Sequence, residues 1–234
     1  MGTIAKDNKK RHFDVIGGPL VDKSPWRPQW LPRIDTAGDF QIPVIHNSGL
    51  RSTPIGMCSL HRGAALTSRP DWLIHGYLDD TVLLPLLKNP AGKLNLVSEY
   101  LGFVTPDFSI TAEMPLQDRI WSVWRSRAVG AYFASRGISV IPNVRWAALD
   151  DLTWTLDGIE DCGTIAVSTQ GLCSDHQFRD LLADGLRRIS ERLPSSQLLV
   201  YGPTPRTVSD SLGGFKSVQF FSTDYSRVFG RGKF

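Results

Sequence analysis

The apolar positions of this chain fall into two regimes that divide near residue 70. Before it the pattern is irregular, with short apolar runs at FDVIGG (13–18) and IPVIH (42–46). Between them PWRPQWLPR (25–33) holds three prolines and two tryptophans in nine residues. Proline at that density forbids helix and discourages central strands. The two indoles predict a segment packed over the body rather than a free linker. Residues 1–12 predict a disordered tail.

From residue 71 the rhythm becomes regular. DWLIHGYLDD (71–80) predicts a short strand; TVLLPLLKNP follows it, KLNLVSEYLG (93–102) reads as helical, and FVTPDFSI (103–110) is the next strand. MPLQDRIWSVWRSRAVGAYFASRG (114–137) is the clearest helix, with Pro115 suited to its first turn and Gly137 placed to end it. Ile120, Val123, Trp124, Arg127 and Ala131 keep the 3–4 spacing along it. ISVIPNVRW (138–146), a short helical ALDDLTWTL, and TIAVST (164–169) come next. SDHQFRDLLADGLRRISERL (174–193) predicts a second amphipathic helix, with Ser174 able to cap it, before QLLVYG (197–202) and VQFFST (218–223).

Strands of four to six apolar residues alternating with helices are the mark of repeated β-α units. Crossovers of that length make neighbouring strands parallel, and parallel strands buried on both faces read as unbroken apolar runs. The expected fold is therefore α/β: a small or incomplete (β/α) barrel with mostly parallel strands behind an irregular N-terminal segment. An open doubly wound sheet is the alternative. One domain spans 13–223, irregular over 13–70 and regular over 71–223, between tails at 1–12 and 224–234.

In either architecture the ligand site lies at the carboxyl ends of the strands. Those ends carry Asp79 and Asp80, then Asp107 and Ser109, then Asn143, Arg145 and Trp146, then Ser168 and Thr169, then Tyr201. Turn chemistry and helix capping account for Asp80, Ser168 and Thr169. Asp107, Arg145, Trp146 and Tyr201 are not preferred turn formers, which points to a site. Asp79, Asp80 and Asp107 can act catalytically, or hold Mg²⁺ or Mn²⁺ to polarise a phosphate or activate water. A single carboxyl raised by burial can instead serve as general acid in glycosidic cleavage. Arg145 can anchor an anion, and Trp146 or Tyr201 can stack on a base or sugar. Ser109, Asn143 and Ser168 complete the ligand-binding set. Arg119, Arg125 and Arg127 read as a solvated face or structural ion pairs, and His75 as a satisfied core residue.

Composition narrows the setting. The net charge of +3 is concentrated at the ends: residues 1–12 carry +3 and residues 224–234 carry +2, leaving the body at −2. Basic tails can hold phosphate backbones in a salt-dependent way. Three cysteines fit a reducing compartment rather than a disulfide framework. Two of them begin C-x-x-H pairs (58–61 and 173–176), which read as buried Cys and His more readily than as a split zinc site. No apolar run is long enough to span a bilayer and the start lacks a secretory signal, so the expected location is cytoplasmic. GxGxxG after a strand, Walker A, GxSxG, HExxH and CxxC patterns are absent from the sequence.

TPDFSI, RSRAVGAYFASRGISVIPNVRW and LLVYG together resemble an uncharacterised domain-of-unknown-function family of bacteria, actinobacterial mobile elements and phages. The matching positions are Pro106–Ser109, Arg127–Gly130, Pro142–Trp146, Ser168–Gly171 and Tyr201–Gly202, within roughly residues 70–205. The resemblance implies no established activity, and its mobile-element setting favours nucleic-acid-related roles. Two functions follow as expectations. One is a hydrolase cutting a phosphate or glycosidic bond of a nucleotide or nucleic acid. The other is a non-catalytic phage or plasmid protein that binds nucleic acid or a protein partner, a virion or assembly component included, with segment 25–32 as a natural contact.

Overall fold

A computed structural model describes residues 30–31, 33–46, 49–63, 69–173 and 175–229. The expectations for FDVIGG, Trp26, the tail at 1–12, the end of the other tail (230–234) and the Ser174 cap fall outside them. The chain opens with an antiparallel pair, β1 (Thr36–Ala37) and β2 (Ile42–Pro43). A strand not foreseen in the irregular region follows, β3 (Gly56–Ser59), with α1 (Leu60–Gly63) and β4 (Arg69–His75) after it. Next come α2 (Asp80–Lys88), α3 (Leu94–Ser98), β5 (Tyr100–Val104), α4 (Leu116–Ala134) and β6 (Val140–Ile141). The last part holds α5 (Leu152–Thr155), β7 (Thr164–Ser168), α6 (His176–Arg192), β8 (Gln197–Tyr201), α7 (Arg206–Ser209), β9 (Ser217–Phe221) and α8 (Asp224–Phe229). The segment 224–229, expected as part of a tail, is therefore helical.

The fold is mixed α/β with two parallel sheets. β3, β4, β5 and β6 form one in that order, and β7, β8 and β9 the other. A parallel bridge between Asn143 and Ala166 links them, with Val144 N–H donating to Ala166 at 2.8 Å and Ala166 N–H to Pro142 at 2.9 Å. Pro142 has no N–H of its own, which limits β6 to two residues. Strands β3, β5, β6 and β7 are buried along their whole length, as expected where helices cover one face and another strand layer covers the other.

Two apolar clusters lie on either side of the strands. The larger joins Phe103, Val140, Ile165 and Leu198 to Phe133, Leu182 and Leu186 of the helices. The smaller takes Met57, Leu73, Leu101, Ile141, Ala166, Leu199 and Phe221, one from each of the seven parallel strands, together with Val104, Tyr77 and Tyr201. β3 and β9 meet through side chains: Gln219 Nε2 donates to the Pro54 carbonyl at 2.6 Å, and Ser59 N–H donates to the Asp224 carboxylate at 3.0 Å. Among the described residues no backbone ladder closes β9 onto β3. Trp30 packs as its type predicts, edge-on to Tyr132 at 5.5 Å, with Nε1 donating to the Leu87 carbonyl at 2.7 Å.

Candidate functional site

The carboxyl end of β5 is fixed before Asp107 is reached. Thr105 is fully buried, and its hydroxyl accepts from Asn143 N–H at 2.9 Å and from Ser126 Oγ at 3.0 Å. Asp107 N–H donates to the Gly76 carbonyl at 3.0 Å, tying this turn to the end of β4. Gly76 is needed there, since a Cβ would stand 2.7 Å from the Pro106 Cα. On this frame the Asp107 carboxylate accepts from Asn143 Nδ2 at 2.8 Å and Arg145 Nη1 at 2.7 Å. The Asp107 side chain is 11% exposed and that of Arg145 27%.

Arg127 holds Asn143 from behind. Expected on a solvated face or in a structural ion pair, it is instead buried, donating to the carbonyls of Asn143 and Thr155 at 2.9 Å each. Arg119 is a structural partner as expected, bonded to both Asp151 oxygens at 2.7 and 2.8 Å. Arg125 lies over the Phe108 ring at 4.3 Å and donates to Ser122 Oγ at 3.0 Å. Beside it Asp80 accepts from the backbone and hydroxyl of Ser109 at 3.0 and 3.1 Å. A cavity of ≈ 10 Å³, about the size of one water, is lined by Asp107, Phe108, Ser122, Ser126, Asn143 and Arg145 among others.

Behind Asp107 three rings pack together at the ends of β4 and β8. Tyr77 stacks on Tyr201 at 4.8 Å and 16°, and His75 approaches them at 5.0 and 4.4 Å. His75 Nδ1 accepts the Tyr77 N–H at 3.2 Å, so the neutral ring carries its proton on Nε2. Tyr201 Oη accepts the Asp224 N–H at 2.8 Å. His75 Nε2, Tyr77 Oη and Asn143 Oδ1 are buried and have no hydrogen-bond partner among the described residues.

Burial sets the charges. It pushes the Asp107 carboxyl above its ordinary value, although Arg145 and the bond from Asn143 pull the other way; Asp80 adds to the rise. Burial raises Tyr77 well above its ordinary value, with the Asp107 charge second, and takes Tyr201 up to about 12. It drives His75 down to about 3 against the opposing pull of Asp224.

The structure thus joins Asp107, Asn143 and Arg145 directly, sets Asp80 and Ser109 beside them, and connects Tyr201 through Tyr77. Trp146 does not belong with them. Its ring packs on Gly185 of α6, where a Cβ would come within 2.4 Å, and its Nε1 points to the Leu181 carbonyl at 3.4 Å. Ser168 is buried and accepts from Gln170 N–H at 3.3 Å, a turn role. Asp79 is exposed ahead of α2 and makes no side-chain cap bond. Among the described residues no three His, Cys, Asp or Glu side chains are grouped to hold a metal ion, so Asp79, Asp80 and Asp107 do not form the expected triad. The same holds for the C-x-x-H pairs: Cys58 lies buried in β3, and the Cys173 thiol faces the Pro203 carbonyl at 3.3 Å. Larger hollows of ≈ 510 and ≈ 400 Å³ lie away from the strand ends, around Val44, Gly158 and Glu160 and around Asp180, Arg187 and Thr207. Among the described residues no helix is long and apolar enough to cross a membrane. Reading the sequence did not single out Tyr77, which HGYLDD placed inside a strand; the glycine before it was the available sign that β4 ends there.

Comparison with known proteins places the chain. The family described as a domain of unknown function, DUF4417, matches residues 34–225. The chain belongs to that family. All the strand-end residues just described lie inside the DUF4417 match. The Gene 1 protein of Mycobacterium phage L5 is 30% identical over 168 residues, covering 72% of this chain and 73% of the relative. The Gene 1 protein of Mycobacterium phage D29 is 36% identical over 163 residues, covering 70% of this chain; the chain spans 60% of the D29 protein's length. This DUF4417 chain is therefore one of an uncharacterised family with phage members. No solved structure matches it.

Proposed function

We propose that the strands curl into an incomplete (β/α) barrel, and that its carboxyl-end face cleaves a glycosidic or phosphate bond of a nucleotide. The observation that carries this reading is the buried Asp107 carboxyl, held between Arg145 and Asn143 and raised by burial. The barrel is supported by the small apolar cluster, which draws on all seven parallel strands from Met57 to Phe221. Glycosidic cleavage fits better than metal-assisted phosphoryl transfer, because a lone raised carboxyl suits a proton donor while the described carboxylates gather no metal-binding set.

In that reaction protonated Asp107 gives its proton to the leaving group as the bond to the sugar carbon breaks. Water adds hydroxyl to that carbon, and its remaining proton returns to the carboxylate, restoring the acid. Arg125 and Arg145 stand at the rim as anchors for a phosphate.

The test is release of base and of phosphate from nucleoside monophosphates by the full chain and by Asp107→Asn. Asp107→Asn should lose at least a hundredfold in rate with its melting temperature within a few degrees of the parent. Activity should fall as pH rises through the raised Asp107 value, and Arg145→Met, lacking the opposing charge, should move that limb to higher pH. Undiminished turnover in Asp107→Asn, or a collapse of its melting temperature, would reduce Asp107 to a structural partner of Arg145.

A second reading, a non-catalytic contact protein, draws on Trp121 and Leu116 of α4. They are 39% and 41% exposed, and Trp121 stacks on Trp124 at 5.0 Å beside Arg125. Trp121→Ala with hydrolysis intact and nucleic-acid retention lost would favour it.

A further inference from the structure

Two neighbouring side chains of α4 hold both halves of the Asp107 site. Ser126 Oγ lies 2.6 Å from the Pro106 carbonyl, one residue before Asp107, and 3.0 Å from Thr105 Oγ1. Arg127 donates to the Asn143 carbonyl at 2.9 Å, and the Asn143 amide in turn donates to the Asp107 carboxylate at 2.8 Å. Gly130, one turn on, lets the helix lie this close, since a Cβ there would stand 2.7 Å from Thr105 Cγ2. The arginine is an unusual tie. It is 1% exposed. Among the described residues its Nε has no partner, and its second bond also goes to a backbone carbonyl, that of Thr155, rather than to a carboxylate. Burial pulls it down to about 10, against the pull of Cys162, Glu160 and Asp157, so it keeps its charge at neutral pH. A desolvated charge without a bonded counter-ion is unfavourable, and an apolar side chain would fill the same space at lower cost. Packing alone does not account for a guanidinium there.

We infer that Arg127 is a positioning residue of the Asp107 site, fixing the Asn143 peptide so that its side-chain amide meets the carboxylate in one orientation; this deepens the reading of Asp107 as the acid and rests on it. The planar fork suits the task. Its two N–H groups reach carbonyls on different segments, the strand end at Asn143 and the end of α5 at Thr155, which sets both the distance and the tilt of the Asn143 peptide. A lysine nitrogen holds a point but not a plane. With Arg127 on its carbonyl and Thr105 on its N–H, Asn143 presents Nδ2 to Asp107 from a fixed backbone. The charged and titratable groups that act on Asp107 are Arg145, Asp80 and Tyr77. Arg145 bonds the carboxylate directly, so losing Arg127 removes the share of the amide and leaves that ion pair in place.

The experiment is a carbon-13 carboxyl titration of the full chain by NMR, with Asp107→Asn identifying the signal. Asn143→Leu, which removes the amide, should raise the Asp107 midpoint by about one pH unit. Arg127→Met and Arg127→Lys should each raise it by about half a unit or more, and should add nothing in the Asn143→Leu background. Lysine keeps the charge, so a parent-like midpoint in Arg127→Lys would mean that charge rather than placement acts on Asp107, and would overturn the inference. An equal rise with and without Asn143 would overturn it in the same way. A lower melting temperature with an unmoved midpoint in both variants would leave Arg127 a structural tie only, which also overturns it. Where Arg127→Met does not fold, Arg127→Lys, alone and with Asn143→Leu, carries the comparison. If the midpoints move as expected while the parent releases no base from any nucleoside monophosphate, the cleavage reading fails and the placement of Asp107 by Arg127 stands.

Discussion

His75 shows how one residue's surroundings become a property of the fold. It sits at the end of β4 with no exposed surface, between Tyr77 and Tyr201, and burial lowers it from 6.5 to about 3. The groups facing it bear on the direction: Asp224 favours the charged ring, Arg227 opposes it, and desolvation outweighs both. Between those two values the unfolded chain binds a proton that the folded chain refuses, so stability falls as pH drops from about 6.5 towards 3. Urea unfolding at pH 7 and at pH 5 should show a lower midpoint at pH 5, and His75→Gln should flatten that difference. An equal drop in both proteins would place the acid sensitivity elsewhere. Asp107 works in the other sense. Its raised carboxyl favours the folded state where it is protonated, and that contribution is lost as pH rises through its folded value.

At the scale of elements, the contact between α6 and the segment after β6 is set by one missing side chain. Gly185 lets the Trp146 ring lie against the helix, and a Cβ there would stand 2.4 Å from Cε2 and Cζ2. Gly185→Ala gains up to about 1 kcal/mol of helix propensity but must displace a rigid ring, so a net loss of about 1–3 kcal/mol is expected by chemical denaturation. Gly163→Ala, with open space around it, should be near neutral and serves as the control. The same contact shows the limit of reading the chain as a string. An aromatic after a strand looks like a site residue, and only the glycine 39 positions on, brought close by the crossover, shows it as packing. The long α4 was legible from its 3–4 spacing and punctuated ends, and β7 and β8 from their unbroken apolar runs. KLNLVSEYLG was expected to be one helix, yet α3 stops at Ser98 and β5 begins at Tyr100; a parallel strand's continuous apolar run does not differ in pattern from a buried helical turn. β3 escaped notice because GMCS has no β-branched residue to mark it.

For the whole molecule, the most telling feature is the join between β3 and the residues that follow β9. Asp224 spans it: its carboxylate accepts the Ser59 N–H and pairs with Arg227, its N–H donates to Tyr201, and its carbonyl accepts from Arg62. Asp224→Ala should lower the urea midpoint by the equivalent of about 1–3 kcal/mol. Asp224→Asn, which keeps an acceptor for Ser59, should lose less. Equal losses would mean that the ion pair, not the backbone bond, secures the join. The parallel order of the strands was legible from their alternation with helices. The manner in which their two ends meet was not, because it depends on a carboxylate in what resembled a charged tail.

Ser59 and Asp224 are 165 positions apart, as are Pro54 and Gln219. Loops of that length close late, since their entropy is offset only after intervening contacts have formed. During refolding the margin of β3 therefore waits uncovered until the Gln219 and Asp224 side chains reach it, and such margins recruit other chains. Dilute, cold refolding should outperform concentrated refolding, and the Ser59 amide should be among the first of the strand amides to exchange with deuterium.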